Sequence, residues 1–179
     1  MIKVLKFLVF GIAGVIILLL IVALFIPNDY SISVSTTINK PQKEVFDYVK
    51  MIKNQEKYSV WVMKDPKVQI EYTGVDGTVG AKSSWVSLDD NVGVGSQQIT
   101  KMTANRIDVD IHFEKPMKGD DSGATIVEAL SEDQTKITSE FYGHANYPMN
   151  LMSFMFKDFI KKDLTQNIAN VKKILESQP

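Results

Sequence analysis

The chain has 179 residues, 45% of them hydrophobic, which is enough apolar material for one globular core and an appendage. Its 20 basic and 21 acidic side chains give a net charge of -1, without the basic excess that nucleic-acid-binding domains carry. The absence of cysteine excludes a disulfide framework, a thiolate metal site and a cysteine nucleophile.

The first segment is an uncharged apolar run from Phe7 to Ile26. A helix of this length spans about 30 Å, which matches the hydrocarbon core of a bilayer. A cleaved signal peptide is the competing interpretation, but such a peptide has a shorter apolar region followed by a small-x-small site, and no small pair is correctly placed here. We therefore predict an uncleaved transmembrane anchor over residues 1–28, with the lipid bilayer as its partner.

Lys3 and Lys6 precede the apolar run. The positive-inside tendency keeps such residues cytoplasmic. We therefore expect a single-pass membrane protein with a cytoplasmic N-terminus and a domain on the extracytoplasmic (periplasmic) side.

The residues after the anchor predict a strand followed by two short helices. From Tyr30 to Ile38 apolar and hydroxyl residues alternate, which is typical of a strand with one buried face. Pro41 opens the first helix, and a second short helix or turn is expected at residues 53–58.

Period-two patterns separated by turns then predict six strands in succession. The expected ranges are 68–72, 83–88, 92–102, 107–114, 124–130 and 136–144. Gly93 and Gly95 indicate a bulge or a close backbone approach in the third of these strands. Residues 115–123 are expected to form a turn.

The last segment, from Pro148 to Leu175, is predicted to be one long helix. Apolar residues surround most of its circumference between Met149 and Ile160, and from Lys161 onward they form one stripe. We expect ligand or partner contact in the first half and stabilising packing in the second half.

This order of elements implies an α+β fold with a curved antiparallel sheet in a meander. The long terminal helix is the element that can cover the sheet. A sheet wrapped round one helix leaves a space where the facing side chains do not meet, and such a space is a typical small-molecule site.

Several segments of the chain also match a known family in their order and spacing. They are residues 40–46, 61–66, 77–85, 92–96, 106–107, 112–116, 157–159 and 169–172, among them Lys40-Pro41, Trp61, Trp85, Gly93-Val94-Gly95 and His112-Phe113. Through these segments the chain resembles the START-like, helix-grip superfamily, specifically its polyketide cyclase/dehydrase and lipid-transport (SRPBCC) branch.

The resemblance implies a helix-grip domain over residues 29–179, with six to seven strands wrapped round the C-terminal helix. It also implies a deep apolar cavity between the two and no fixed catalytic set. In similar proteins a small, glycine-like residue often precedes the position of Ile168, whereas this chain has Asn167 there.

The candidate ligand-binding residues are large apolar side chains expected at the cavity, together with one asparagine. They are Trp61, Trp85, Ile111, Phe113, Phe141, Met152, Met155, Phe156 and Asn167. Aromatic rings supply large contact areas and methionines supply adaptable ones, although plain core packing is an alternative for the tryptophans and methionines. A buried Asn167 needs a partner, which is expected to be a ligand, a water or a sheet side chain. Two histidines without ligand-spaced carboxylates predict no metal, and we expect no cofactor.

Three functional hypotheses follow. The favoured one is a membrane-anchored domain that binds a hydrophobic small molecule or lipid in this cavity. The second is a cyclase or hydrolase that uses Glu71, Glu140 or His144, with His144 at the cavity mouth and His112 on the solvent face. The third is an interaction domain whose apolar patch, from Met149 to Phe156, docks a partner or the membrane surface.

Overall fold

Helix α1 (Ile2–Ala23) is the first element of the computed structural model, which describes residues 2–178 apart from the side chains of residues 2, 3 and 155. The stretch Val4–Ala23 is mostly exposed and is long and apolar enough to cross a membrane. An N-terminal signal sequence can meet the same criteria of length and composition. Helical turns continue past the end of α1, because the N–H of Ile26 donates to the carbonyl of Ala23 over 3.3 Å.

The described residues form a seven-stranded antiparallel sheet in the order β1-β7-β6-β5-β4-β3-β2. The strands are β1 (Asp29–Ile38), β2 (Gln69–Thr73), β3 (Lys82–Val86), β4 (Val94–Met102), β5 (Arg106–Lys115), β6 (Gly119–Ala129) and β7 (Thr135–His144). The chain meanders from β2 at one edge to β7, which pairs with β1 at the other edge. The predicted α+β fold and its meander are confirmed.

Strand β6 begins earlier than expected. The sequence predicts a turn over residues 115–123, but residues 119–123 pair with β5, so the turn shrinks to residues 116–118. Aspartate, serine and glycine have a low preference for strands, and here the hydrogen bonds to β5 override that preference.

The helical segment between β1 and β2 consists of four short pieces. They are α2 (Gln42–Val49), a 3₁₀ turn (Ile52–Asn54), α3 (Gln55–Tyr58) and α4 (Val60–Lys64). Ser59 has an extended backbone, with φ -76° and ψ 119°, and it separates α3 from α4. Trp61, which lies beyond the helix or turn expected at residues 53–58, is therefore part of α4.

The C-terminal helix is divided, contrary to the prediction of one helix from Pro148. A 3₁₀ turn (Met149–Met152) precedes α5 (Ser153–Glu176). The turn places the buried Asn150 against α1, where its side-chain amide donates to the carbonyls of Ala23 and Ile26, each over 2.8 Å.

The antiparallel register defines two ends of the sheet. Asp29 at the start of β1 pairs with His144 at the end of β7, so α1 joins the end that also holds the β3–β4 turn (residues 87–93) and the β5–β6 turn (residues 116–118). We call this the helix-joined end. The far end holds the turns at residues 74–81, 103–105 and 130–134.

Helix α5 runs from the helix-joined end to the far end. It begins next to Asn150, and near its C-terminus Lys172 donates to the carbonyl of Thr37 over 2.6 Å. One stripe of α5 is buried against the sheet in the main hydrophobic core, and its members are Leu164, Ile168, Val171 and Leu175. Burying each of these side chains stabilises the fold by about 1.5–3 kcal/mol.

Candidate functional site

A cavity of about 350 Å³ lies between the concave face of the sheet, α5 and the α3–α4 segment. Because successive strand residues point to opposite faces, alternate residues of a strand can reach it. From β5 these are Ile107, Val109, Ile111 and Phe113. This volume lies in the range of small-molecule pockets.

Six of the nine candidate residues border the cavity. They are Trp61, Trp85, Ile111, Phe113, Phe141 and Asn167. Met152 and Phe156 are not part of the wall, and the side chain of Met155 lies outside the described residues.

The wall residues do not follow the division that we expected along the last helix. Its contribution to the cavity wall comes from Ile160 and from the stripe that we assigned to packing, namely Leu164, Asn167, Ile168 and Val171. Phe156 lies one helical turn before Ile160, Met152 lies in the preceding 3₁₀ turn, and the part of the wall formed by α5 begins at Ile160. The stripe thus packs against the sheet and borders the cavity at once.

An aromatic pair forms the wall near the β3–β4 turn. The rings of Trp85 and Phe113 meet edge to face, with centroids 6.0 Å apart and planes at 73°. The indole N–H of Trp85 donates to the carbonyl of Val92 over 3.2 Å. A Cβ on Gly95 would lie 2.6 Å from the Trp85 ring, and the β4–β5 register shifts between Val94 and Gly95. The expected close approach and irregularity at this glycine are confirmed.

Asn167 has a partner that we did not anticipate. Its side-chain oxygen accepts a 2.8 Å hydrogen bond from the backbone N–H of Val60, the first residue of α4. One helical turn on, Asn170 donates to the carbonyl of Tyr58 over 2.9 Å. The two asparagines hold the α3–α4 junction on α5, and the partner of the Asn167 oxygen is a backbone amide rather than the expected ligand, water or sheet side chain.

The cavity wall contains a polar patch that was not predicted from the sequence. The side-chain amide of Gln97 donates to Gln55 and, over 3.2 Å, to the hydroxyl of Ser83, and all three residues border the cavity. The signal was present in β4, where Gly95, Gln97 and Ile99 share the inner face. A glutamine on an inner face indicates a polar contact within the cavity.

Two tyrosines of the wall remain protonated. Burial raises the pKa of the Tyr58 hydroxyl well above its ordinary value. Burial and the nearby Glu56 carboxylate, which accepts a 2.7 Å hydrogen bond from Tyr72, raise the pKa of Tyr72 in the same way. Both hydroxyls are therefore neutral at physiological pH.

The two histidines lie outside the cavity. His112 is exposed on the outer face of the sheet, as predicted, and its Nδ1 is 2.5 Å from Asp120. His144, which the enzyme hypothesis places at the cavity mouth, is exposed in a separate surface recess at the start of β1. Its Nδ1 is 2.7 Å from Asp29 and its Nε2 is 3.1 Å from Asn146. The hydrogen bond with Asp29, helped by Asn146, raises the pKa of His144.

The carboxylates of the enzyme hypothesis do not meet inside the cavity. Glu71 is exposed on β2. Glu140 borders the cavity, but its carboxylate accepts hydrogen bonds from Arg106 over 3.2 Å and Tyr142 over 2.5 Å on the outer face. The arrangement of Glu71, Glu140 and His144 round one cavity point is therefore not formed. Among the described residues, no group of three or more histidines and carboxylates is placed to hold a metal.

Solved structures share this fold. Norcoclaurine synthase from Thalictrum flavum, in complex with dopamine and hydroxybenzaldehyde, matches with a TM-score of 0.66 and 11% identity, over 84% of this chain and 88% of that one. Ara h 8.0201 matches with a TM-score of 0.58 and 16% identity, over 83% and 99% of the two chains. A protein from Arthrobacter aurescens matches with a TM-score of 0.58 and 19% identity, over 83% and 87%.

These similarities show that the chain has the Bet v1-like, START-type helix-grip fold. At these identities the likeness concerns the fold alone. No protein-family model matches the sequence, and no curated protein matches it.

Proposed function

We propose that the chain is a membrane-anchored domain of the SRPBCC type that binds a hydrophobic small molecule or lipid in the cavity between sheet and α5. The observation that carries this proposal is the cavity itself, about 350 Å³ of space with a largely apolar wall. A protein interior is normally close-packed, so an apolar space of this size is suited to a ligand. The ligand-bound norcoclaurine synthase structure supports a binding role for the same fold.

The cavity wall favours a mainly apolar ligand with a single neutral polar group. A ligand that buries ~300 Å² of apolar surface gains about 7 kcal/mol at ~25 cal/mol per Å², before the costs of association. Trp61, Trp85, Ile111, Phe113 and Phe141 would supply this contact. The patch of Gln55, Gln97 and Ser83 would hydrogen-bond the polar group, since glutamine offers both a donor and an acceptor.

Residues 1–28 would form a retained transmembrane anchor and residues 29–179 the binding domain, with the N-terminus cytoplasmic. The contact of Asn150 with α1 supports retention of the helix. Removal of the helix would leave the buried amide of Asn150 without the carbonyls of Ala23 and Ile26, at a cost of about 1–3 kcal/mol. Lys6 ahead of the apolar run agrees with the proposed orientation.

The two tryptophans provide a direct test of ligand binding. Trp61 and Trp85 are the chain's only tryptophans and both border the cavity, so a brominated fatty acid bound there should quench the intrinsic fluorescence of the full-length protein. Val109→Phe adds apolar bulk to the cavity wall. We expect it to weaken binding about tenfold, which corresponds to ~1.4 kcal/mol.

Asp110→Phe is the matched control, because it adds the same ring one residue away on the exposed outer face. It should leave quenching unchanged, and thermal unfolding of both variants checks that the fold persists. Quenching that is equal in both variants and in the parent protein would show that the ligand is not in the cavity.

A further inference from the structure

The mouth of the cavity lies at the helix-joined end. Among the described residues of the cavity wall, the exposed ones are Asp90, Asn91, Lys115 and Pro116. The first two belong to the β3–β4 turn and the other two flank the start of the β5–β6 turn. Toward the far end the wall residues Ile52 and Ile99 are buried, at 4% and 1% exposed, and Lys50 is half-buried. The exposed part of the cavity wall therefore lies at the same end of the sheet as α1.

Both turns at the mouth present an apolar side chain to solvent. Leu88 in the β3–β4 turn is 100% exposed and Met117 in the β5–β6 turn is 52% exposed. Phe154, in the first turn of α5 at the same end, is 63% exposed. Apolar side chains grouped at one end of a domain indicate an interaction surface.

The position of α1 identifies what this surface meets. The helical turns of α1 continue to Ile26, so Pro27 and Asn28 alone separate them from β1. Two extended residues span at most ~7 Å. The link is also held, because the N–H of Ala145 donates to the carbonyl of Asn28 over 2.9 Å and Asn150 holds the end of α1. A membrane that contains α1 therefore lies beside the helix-joined end.

The charges at the mouth indicate that apolar contact, rather than charge, holds this surface on the lipid. Asp90 and Lys115 carry opposite charges, and the chain as a whole has a net charge of -1. Attraction to anionic headgroups therefore contributes little, and a neutral bilayer should suffice.

We propose that the helix-joined end docks on the bilayer that α1 crosses, with Leu88, Met117 and Phe154 in the headgroup region and the cavity mouth facing the lipid. This inference rests on the proposed anchoring of α1. Apolar groups at such an interface reach about 5–10 Å into the boundary between headgroups and acyl chains. A hydrophobic ligand then passes between the membrane and the cavity without crossing water.

The absence of cysteine allows a clean test by single-cysteine labelling. Full-length Leu88→Cys and Met117→Cys proteins would each carry an environment-sensitive fluorophore in phosphatidylcholine nanodiscs, with and without spin-labelled quencher lipid. We expect blue-shifted emission and strong quenching at both positions. Leu130→Cys is the matched control, because Leu130 is 56% exposed but lies in the β6–β7 turn at the far end. A ten-residue strand such as β7 is about 33 Å long, so this label should stay unquenched.

Val15→Cys, in the middle of α1, separates the two proposals. Quenching at residue 15 without quenching at residues 88 and 117 would overturn the docking and leave the anchoring intact. No quenching at residue 15 would overturn the anchoring, and the docking with it. Quenching at residue 130 as strong as at residues 88 and 117 would also overturn the docking, because the proposed orientation holds the far end away from lipid.

Discussion

At the scale of single residues, Asn167 joins α5 to the start of α4. The first N–H groups of a helix have no partner within the helix, and α4 receives no capping bond from its own preceding residue, Ser59. The side-chain oxygen of Asn167 supplies that bond to Val60 from another helix. Trp61 follows directly, so this contact positions one of the aromatic walls of the cavity.

Asn167→Leu should remove this contact while keeping the number of heavy atoms in the side chain. The partly buried N–H of Val60 would lose its acceptor, and we expect a loss of about 1–2 kcal/mol in the free energy of unfolding. Hydrogen exchange at the Val60 amide should quicken as well. Thr165→Ala, at an exposed position of α5, is the control and should change exchange at Val60 little. Unchanged exchange in Asn167→Leu would contradict the assigned contact.

His144 should make the recess at the start of β1 sensitive to pH. Its folded pKa is raised above the unfolded value of about 6.5, so its stabilising contribution is complete below that value and is lost as the pH rises through the folded pKa. Asp29→Asn removes the principal cause and should lower the pKa of His144. The two histidines can be followed separately by NMR titration, with His112→Gln to assign the signals. An unchanged His144 titration in Asp29→Asn would show that the Asp29 contact does not cause the shift.

Some residues of the site could be predicted from the sequence and others could not. Ile111, Phe113 and Phe141 lie on strands with clear alternation, so the face that each presents follows from the period of two. Gln97 was not predicted because the cavity was expected to be apolar, and Gln97 is the polar residue on the inner face of β4. The partner of Asn167 could not be predicted, because a hydrogen bond between residues 107 positions apart depends on tertiary packing.

At the scale of elements, the join between α1 and the domain depends on the 3₁₀ turn before α5. The turn buries Asn150, which is 1% exposed, and its amide donates to two carbonyls at the end of α1. The last carbonyls of a helix tend to lack partners within the helix, and here the carbonyl of Ala23 accepts from both Ile26 and Asn150. A side chain 124 residues further on thus caps the first helix of the chain.

Asn150→Ala should loosen this join. The carbonyls of Ala23 and Ile26 each lose the hydrogen bond that Asn150 donates, and we expect the free energy of unfolding of the full-length protein to fall by about 1–3 kcal/mol. Asn105→Ala, in the exposed β4–β5 turn at the far end, is the control and should cost less. Denaturant unfolding in nanodiscs measures both variants, and an equal loss in the two would mean that Asn150 has no special role at the join.

The elements themselves were mostly predictable. The strands and the C-terminal helix appear in the sequence as clear periodic patterns. The main differences in these elements are the start of β6 and the division of the last helix. Both differences arise from contacts beyond the local segment. Residues 119–123 become a strand because β5 pairs with them, and the 3₁₀ turn forms where Asn150 meets α1.

At the scale of the whole molecule, the same helix provides both stability and the cavity wall. Leu164, Ile168 and Val171 are buried in the main core and also border the cavity. The predicted division of the last helix into a binding half and a packing half rested on hydrophobicity alone. Which stretch of a helix faces a cavity depends on how far along the helix the curved sheet extends, and no local pattern contains that information.

The two-residue link between α1 and β1 limits where the proposed binding domain can act. With α1 retained in the membrane, the two residues Pro27 and Asn28 let the domain move only a few ångströms away from the membrane surface. The contacts of Asn150 and Ala145 also restrain the rotation of the domain relative to α1. Such a domain would not carry its ligand across an aqueous compartment, as a freely diffusing carrier protein does. It would diffuse laterally in the membrane together with α1. Transfer of the ligand to another site would require a second, mobile protein that binds the domain and accepts the ligand.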